Sequence, residues 1–302
     1  MSASTKTIGV IGLGSIGLRH AVNLRALGCN VRAWDPDMKR RLQFNGVLWD
    51  MDEVMGSDAV VVASPTPLHA DQLYKVMSAA KPCFVEKPIG DNYIDIDLAL
   101  CKEVQFQQQI MVGYNLRFHS CVKQARAWLE AGLIGQPMWA NFTCAQYNDK
   151  PAYLRDGVIL NWSHEIDLAL YLLGPAKVAA SSTRLTDGKD DLTDILLTHD
   201  NGARSNIHLD YITNPEQRGF TIGGSNGVIA ADLTLRSVVR IVDGDRPFVY
   251  HDQGDSYDKN YVEEMQAFLD RIDGKKTIGA TGEEGLAVLK ICLEVREQAG
   301  LK

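Results

Sequence analysis

A chain of 302 residues is long enough for two domains and for burying roughly three quarters of the surface its unfolded form exposes. Its 38 acidic and 31 basic side chains give a formal net charge of −7, and no stretch gathers Lys and Arg among aromatics, which argues against a nucleic-acid partner. Apolar runs such as Ala59 to Ala63 fall far short of a bilayer span, and Ser2-Ala3-Ser4-Thr5-Lys6 is polar, so neither a membrane anchor nor a signal peptide is expected.

The first predicted element, Thr7-Ile8-Gly9-Val10-Ile11, is a short apolar strand. It leads into Gly12-Leu13-Gly14-Ser15-Ile16-Gly17 and then a helix, Leu18-Arg19-His20-Ala21-Val22-Asn23-Leu24, which Ser15 can start. The G-x-G-x-x-G spacing allows a tight turn, close backbone approach to a pyrophosphate and close helix–strand packing, with phosphates resting on N–H groups at the helix N-terminus. Glycines also mark ordinary turns, so the context has to decide. It does: the second strand, Asn30-Val31-Arg32-Ala33-Trp34, ends at Asp35, roughly 20 positions on, where a carboxylate would hold the ribose hydroxyls of a dinucleotide. Asp35 would repel a 2′-phosphate, so NAD is expected over NADP, and the nearby Lys39, Arg40 and Arg41 soften that preference.

After a helix over Met38 to Phe44 and a helical turn over Asp52 to Met55, Asp58-Ala59-Val60-Val61-Val62-Ala63 reads as a strand covered on both faces of a parallel sheet. The prolines of Ser64-Pro65-Thr66-Pro67-Leu68-His69 stop it and leave a loop at its carboxyl end, where ligands bind in open parallel sheets. A helix over Ala70 to Ala80, the strand Cys83-Phe84-Val85, the tripeptide Glu86-Lys87-Pro88, a helix over Asp95 to Gln107 and the strand Ile110-Met111-Val112-Gly113 complete this half.

The pattern then changes. A helix over Cys121 to Ala131 ends at Gly132. Strands follow over Met138 to Ala145, Val178 to Arg184, Asp194 to Thr198, Ala203 to Leu209, Gly219 to Ile222, Gly227 to Ala231 and Val238 to Val242, separated by Gly, Asn and Asp turns of antiparallel type. Helices over Ser163 to Leu173, Tyr261 to Ile272 and Glu283 to Gln298 interrupt and close the chain. The expected fold is α/β: a doubly wound parallel sheet over 1–117, then an α+β domain over 118–302 built on a large, mostly antiparallel sheet, with the closing helix 283–298 free to pack back on the first domain. A crevice between the halves would hold the reaction.

Six cysteines, at 29, 83, 101, 121, 144 and 292, show no C-x-x-C pair and no His at ligand spacing. They read as reduced thiols rather than zinc ligands or disulfides, which favours the cytoplasm and gives no metal site.

Two side chains stand out for chemistry. Lys87 ends a parallel strand on the same edge as the glycine turn, where its ammonium would hydrogen-bond a substrate oxygen; position alone leaves a surface lysine paired with Glu86 equally open. His164 opens a helix in Gly157-Val158-Ile159-Leu160-Asn161-Trp162-Ser163-His164-Glu165-Ile166-Asp167, where the helix dipole favours a neutral ring able to accept a proton. Asp167, three residues on, shares its face and would orient the ring, against the alternative that the histidine is simply packed.

With these segments placed, the chain resembles the glucose-fructose oxidoreductase, inositol dehydrogenase and rhizopine catabolism (Gfo/Idh/MocA) family. The carriers are the glycine turn, Ser64-Pro65-Thr66-Pro67-Leu68-His69, Glu86-Lys87-Pro88, Gly113-Tyr114-Asn115-Leu116-Arg117-Phe118, Gly132-Leu133-Ile134-Gly135 and Ser163-His164-Glu165-Ile166-Asp167. Within the family, that last motif and Tyr257-Asp258-Lys259-Asn260-Tyr261-Val262-Glu263-Glu264-Met265 are most similar to members of bacterial surface-sugar biosynthesis, including those around nonulosonic acids. The resemblance implies an N-terminal Rossmann domain and an NAD(P)-dependent oxidoreductase that moves a hydride between nicotinamide and a ring carbinol of a sugar, nucleotide-sugar or polyol. It makes Lys87 and His164 catalytic.

The same resemblance places the cofactor on Gly12, Gly14, Ser15, Ile16, Gly17, Asp35, Ser64, Pro65, Thr66, His69, Glu86, Lys87 and Asn115. It places a sugar-like substrate on Lys87, Asn161, His164 and Asp167, with Asn115, Arg117, Tyr153 and Arg155 as further contacts for which ordinary packing or surface roles are at least as open. The family usually carries an aspartate just before the histidine. Here Asn161 is the nearest equivalent, an amide that can cap a helix or orient a hydroxyl but cannot take a proton. That departure keeps open a dinucleotide-binding regulator with reduced catalysis, and a dehydrogenase or reductase of a non-sugar substrate is the other alternative. A homodimer or homotetramer is implied, since the open face of the antiparallel sheet commonly packs against a partner in this family.

Overall fold

The structure, a computed structural model, describes residues 5–45, 48–106, 109–149, 156–252 and 258–301. It divides into two compact units, Met1–Phe118 with Ser256–Leu289, and His119–Asp255 with Lys290–Lys302.

The first unit is built on a six-stranded sheet in the order β2-β1-β3-β4-β5-β14. β1 (Thr7–Ile11), β2 (Asn30–Trp34), β3 (Ala59–Val62), β4 (Cys83–Val85) and β5 (Ile110–Val112) run parallel, and β14 (Ala280–Thr281) adds an antiparallel edge on β5. Every residue of β3 is buried, as its unbroken Ala-Val-Val-Val run requires of a strand covered on both faces. The connecting helices include α1 (Ser15–Ala26), α2 (Met38–Asn45), α3 (Met51–Met55), α4 (His69–Ser78) and α5 (Tyr93–Phe106). Because β2 lies on one side of β1 and β3 on the other, the strand order reverses at β1, the position where open parallel sheets take ligands.

The segment Ser256–Leu289 corrects the single domain boundary expected near residue 118, because it returns to the first unit. Its helix α9 (Asp258–Ile272) places Met265, Phe268 and Leu269 in the core with Ile8, Val10, Val61 and Phe84, while Ile272 packs against that core. Apolar side chains at this helical spacing form one stripe, and burying each removes about 1.5–3 kcal/mol of apolar exposure. Arg271 on the same helix donates to the carbonyls of Ile110 at 3.0 Å and Ala280 at 3.3 Å, pinning the two-residue strand β14, which is too short to be read from a pattern.

The second unit carries an eight-stranded sheet in the order β13-β12-β11-β10-β6-β9-β8-β7. Its strands are β6 (Pro137–Ala145), β7 (Ala176–Thr186), β8 (Lys189–His199), β9 (Arg204–Asp210), β10 (Gln217–Gly224), β11 (Gly227–Asp232), β12 (Ser237–Val242) and β13 (Phe248–His251). All pairings are antiparallel except β6 with β9. Alternation sends Phe142, Ile195, Ile207 and Phe220 inward and leaves Trp139, Leu196 and Ile241 partly exposed. Helices α6 (Ser120–Glu130), α7 (Val158–Asn161) and α8 (His164–Leu173) belong to this unit, and α10 (Gly282–Gln298) begins in the first unit and ends in the second. The short helix α7 and the strand β13 escaped the sequence reading.

The start of α6 carries a pH dependence. His119 caps it, its Nδ1 accepting the Cys121 N–H at 3.2 Å, which requires an unprotonated nitrogen. Burial, reinforced by the Arg236 charge, pushes the imidazole down from 6.5 to about 4. An unfolded His119 binds its proton near 6.5, so its contribution is full above that pH, is lost as pH falls from 6.5 toward 4, and is flat below. The loss is of order 3 kcal/mol, at about 1.4 kcal/mol per pH unit. Urea titrations at pH 7.5 and 4.5 should show His119→Asn, which keeps a capping acceptor but cannot titrate, losing about 2 kcal/mol less than wild type. Equal losses in the two proteins would exclude this role.

Candidate functional site

The register of the first sheet aligns Trp34, Ile11, Val62, Val85 and Val112 across five strands. The next residues, Asp35, Gly12, Ala63, Glu86 and Gly113, therefore form one row along the carboxyl edge. Hydrogen bonds from Gly12 N to Trp34 O (2.8 Å), Ala63 N to Ile11 O (2.8 Å), Glu86 N to Val62 O (2.8 Å) and Gly113 N to Val85 O (2.9 Å) stitch that row. Lys87, half-buried, follows immediately, and the Lys87–Pro88 peptide bond is cis.

Each glycine of the turn has its own reason. Gly12 has φ +93°, and a Cβ there would lie 2.5 Å from the carbonyl oxygen of Ala63. A Cβ on Gly17 would lie 2.0 Å from the Gly12 carbonyl oxygen, so α1 can approach the turn only without a side chain. A Cβ on Gly14 would meet nothing within 4 Å, which leaves the turn open on that side. Ser15 is the first residue of α1, as expected, and its N-cap is Gly14, which makes no side-chain capping bond. The helix thus presents N–H groups and the positive end of its dipole to the opening, a fit for a pyrophosphate.

Asp35 is 3% exposed. Its carboxylate accepts from Leu13 N at 2.7 Å and Asp37 N at 2.8 Å, with Arg40 Nη1 at 3.4 Å. It locks the glycine turn to the end of β2 and puts negative charge beside it. Arg40 partly offsets that charge, as the sequence suggested for the basic run after Asp35.

After β3, Ser64 donates its hydroxyl to Gln72 at 2.7 Å, while Pro65 is exposed and Thr66 half-buried in a 3-10 turn. The His69 ring is 1% exposed, with nitrogens 2.9 Å from Pro88 O and 2.7 Å from Ser64 O. It ties the loop after β3 to the loop after β4. Glu86 is likewise buried, holding His20 at 2.6 Å and the Lys87 N–H at 3.1 Å. Arg117 lies in the 3-10 turn after β5, 2% exposed, donating to Glu284 at 3.0 Å. That ion pair engages its Nη1. Asn115, on the same turn, is buried, and its Nδ2 makes no hydrogen bond among the described residues.

In the second unit, α7 and α8 present the other candidates. Asp190 on β8 accepts the Ile159 N–H at 2.8 Å, fixing the first turn of α7, and Gly157 lacks a Cβ that would otherwise lie 1.9 Å from that carboxylate. Asn161 ends α7 and donates to the Tyr211 hydroxyl at 2.6 Å; Ser163 is the N-cap of α8, so Asn161 does not cap it. Burial pushes Tyr211 up to about 12, keeping its hydroxyl neutral, and Trp162 packs edge-on against it at 4.5 Å. His164 is the first residue of α8 and is half-buried, with Asp167 fully buried one turn on. Glu165 between them grips Arg218 of β10 with two bonds of 2.8 and 3.2 Å, anchoring the helix start to the sheet. Tyr153 and Arg155 lie outside the described residues.

The sequence reading missed Tyr211, Arg218, Asp190 and His20. The one available signal was an arginine inside the strand Gly219 to Ile222 extended by two residues, opposite a helix rich in acids. Partners 50 and 53 residues apart carry no periodic trace.

The family model described as the oxidoreductase family NAD-binding Rossmann fold matches residues 6–114, and that of the GFO/IDH/MocA C-terminal domain matches 122–230. The myo-inositol 2-dehydrogenase of Thermotoga maritima is 29% identical, over 93% of this chain and 92% of its own. An inositol 2-dehydrogenase of Acidothermus cellulolyticus is 30% identical, over 81% and 78%. A levoglucosan dehydrogenase solved with NADH and levoglucosan superposes with a TM-score of 0.89, at 17% identity over 98% of each chain. The UDP-N-acetylglucosamine 3-dehydrogenase of Acidithiobacillus ferrooxidans gives 0.87, at 21% over 98% of each.

Proposed function

Because this chain belongs to the Gfo/Idh/MocA family of oxidoreductases, with an NAD-binding Rossmann domain, we propose that it oxidises a ring carbinol of a sugar, nucleotide-sugar or polyol, or reduces the corresponding ketone. The observation that carries the reading is the row of strand ends, which begins at the glycine turn and delivers Lys87 at the same carboxyl edge. The relatives named for inositol, and the similar folds named for levoglucosan and UDP-N-acetylglucosamine, share a secondary alcohol on a ring as the reacting group.

Gly12, Gly14, Gly17 and the N-terminus of α1 would hold the pyrophosphate, and Asp35 the adenosine ribose. NAD, when bound, supplies the two-electron acceptor at its nicotinamide ring. Lys87 donates a charge-assisted hydrogen bond to the substrate oxygen and stabilises the negative charge that develops there. His164, neutral at the N-terminus of α8, takes the hydroxyl proton in the oxidising direction and returns it in the other. Glu165 and Arg218 fix the helix turn that carries it. The dissolved NAD pool and the scattered cysteines fit a cytoplasmic site of action.

Incubation of the full chain with NAD and myo-inositol, levoglucosan or UDP-N-acetylglucosamine, followed at the NADH absorbance, tests this. NADH formation with any of these supports the reading. NADH binding by fluorescence without turnover of any of them would replace it by the noncatalytic regulator that Asn161 left open.

A further inference from the structure

We propose that His20 and Glu86 are positioning residues for Lys87, coupling the orientation of the lysine to the helix that opens on the dinucleotide. This rests on the reading of Lys87 as the residue that meets the substrate oxygen.

His20 lies on α1, three residues past Gly17, and its side chain is fully buried. Its Nε2 is 2.6 Å from Glu86 Oε1. A carboxylate accepts, so the ring presents its N–H at that nitrogen. Nδ1 is buried without a hydrogen bond among the described residues, which leaves the Glu86 bond to orient the ring between Phe84 (centroids 5.0 Å apart) and Tyr261 (6.2 Å). The second oxygen of Glu86 accepts the N–H of Lys87 at 3.1 Å. β4 has ended by that point, so the carboxylate fixes the peptide plane from which the Lys87 side chain departs. Gly113 makes room: a Cβ there would stand 3.0 Å from the same carboxylate.

Glu264 on α9 completes a buried set in which one ligand-type atom from each of the three residues lies within 4.8 Å of the others. An imidazole with two carboxylates is also a metal-binding combination. Two ligands held at about 2.0–2.2 Å from one ion sit about 3 Å apart or more, so the 2.6 Å between His20 and Glu86 is a hydrogen bond and not a shared ion.

The test uses the full chain as wild type, His20→Gln, His20→Phe and Glu86→Gln. Trace acetylation with acetic anhydride, quantified by mass spectrometry, gives the reactivity of Lys87 relative to the exposed Lys75. NADH titration and turnover of whichever ring alcohol the wild type oxidises are measured beside it. His20→Phe and Glu86→Gln should change the Lys87 to Lys75 ratio by about threefold and lower kcat by about tenfold, with KM and the NADH Kd moving less than about threefold. His20→Gln, which keeps a donor to Glu86, should return both quantities to near wild type. Variants that melt at lower temperature with ratio and kcat unchanged would make the pair merely structural and overturn the inference. If His20→Phe does not fold, Glu86→Gln, equal in shape, carries the comparison. If wild type oxidises none of the alcohols, the functional reading fails, and the labelling ratio still decides the positioning role.

Discussion

Lys87→Ala and His164→Ala should each lower kcat by about 10²–10⁴ while leaving NADH affinity within a factor of about three. The expectation follows from where the charge develops. Removing the hydroxyl proton builds negative charge on the substrate oxygen ahead of oxidation at its carbon. On the proposed reading, an ammonium carried just past the end of a strand would be oriented for it in advance, whereas water would have to reorganise. Lys87→Arg keeps the charge but presents a planar fork from a longer side chain, so it should recover only part of the rate. His164→Asn keeps a polar group at the start of α8 without a proton acceptor of useful basicity and should behave like the alanine variant. Each variant is measured by steady-state kinetics with the ring alcohol the wild type oxidises and by NADH fluorescence. Near-wild-type turnover in both alanine variants would remove these residues from the chemistry.

The second large effect belongs to the glycine turn. Gly17→Ala forces a Cβ to 2.0 Å from the Gly12 carbonyl oxygen, a backbone atom that cannot swing aside as a side chain would. α1 must move away from the turn, at a cost of about 1–3 kcal/mol in stability, and NADH affinity should fall by about tenfold or more as the amides lose their aim. Gly14→Ala is the matched contrast. Gly14 has φ −64°, open to any residue, and its Cβ would meet nothing within 4 Å, so the melting temperature should hold. Its methyl group would project into the opening where the pyrophosphate is expected, so NADH affinity should fall alone. Thermal melts and NADH titrations separate the two outcomes. If Gly14→Ala binds NADH as wild type does, the dinucleotide does not approach the turn at that point.

Much of this was legible before the structure. The glycine spacing, the strand ending at Asp35, the fully apolar β3, the proline stop after it, and the helix that opens with His164 were each read in place. These are local signals: a side-chain period, a backbone residue that must be glycine, a proline that cannot continue a strand. The neighbourhood of His69 and Arg117 was readable, and their internal partners were not. Both lie in loops at the carboxyl edge, where a polar residue reads as ligand-facing, and both make internal bonds, to Ser64 and Pro88 and to Glu284. Asn161 donates to the Tyr211 hydroxyl, and Ser163 is the residue that precedes α8 as its N-cap.

The sequence by itself determined the two kinds of sheet and the cofactor class, because each is written within one turn or one strand, and it named Lys87 and His164 as candidates. Only the tertiary structure decided that α9 and β14 return to the first unit, that Glu86 looks to His20 across 66 positions, and that Arg117 finds Glu284 across 167. The physical reason is common to all three. An amphipathic stripe states that a helix must bury one face without stating against what, and a carboxylate states that it needs donors without stating whose. Assembly of distant elements supplies both answers, and no local period encodes them.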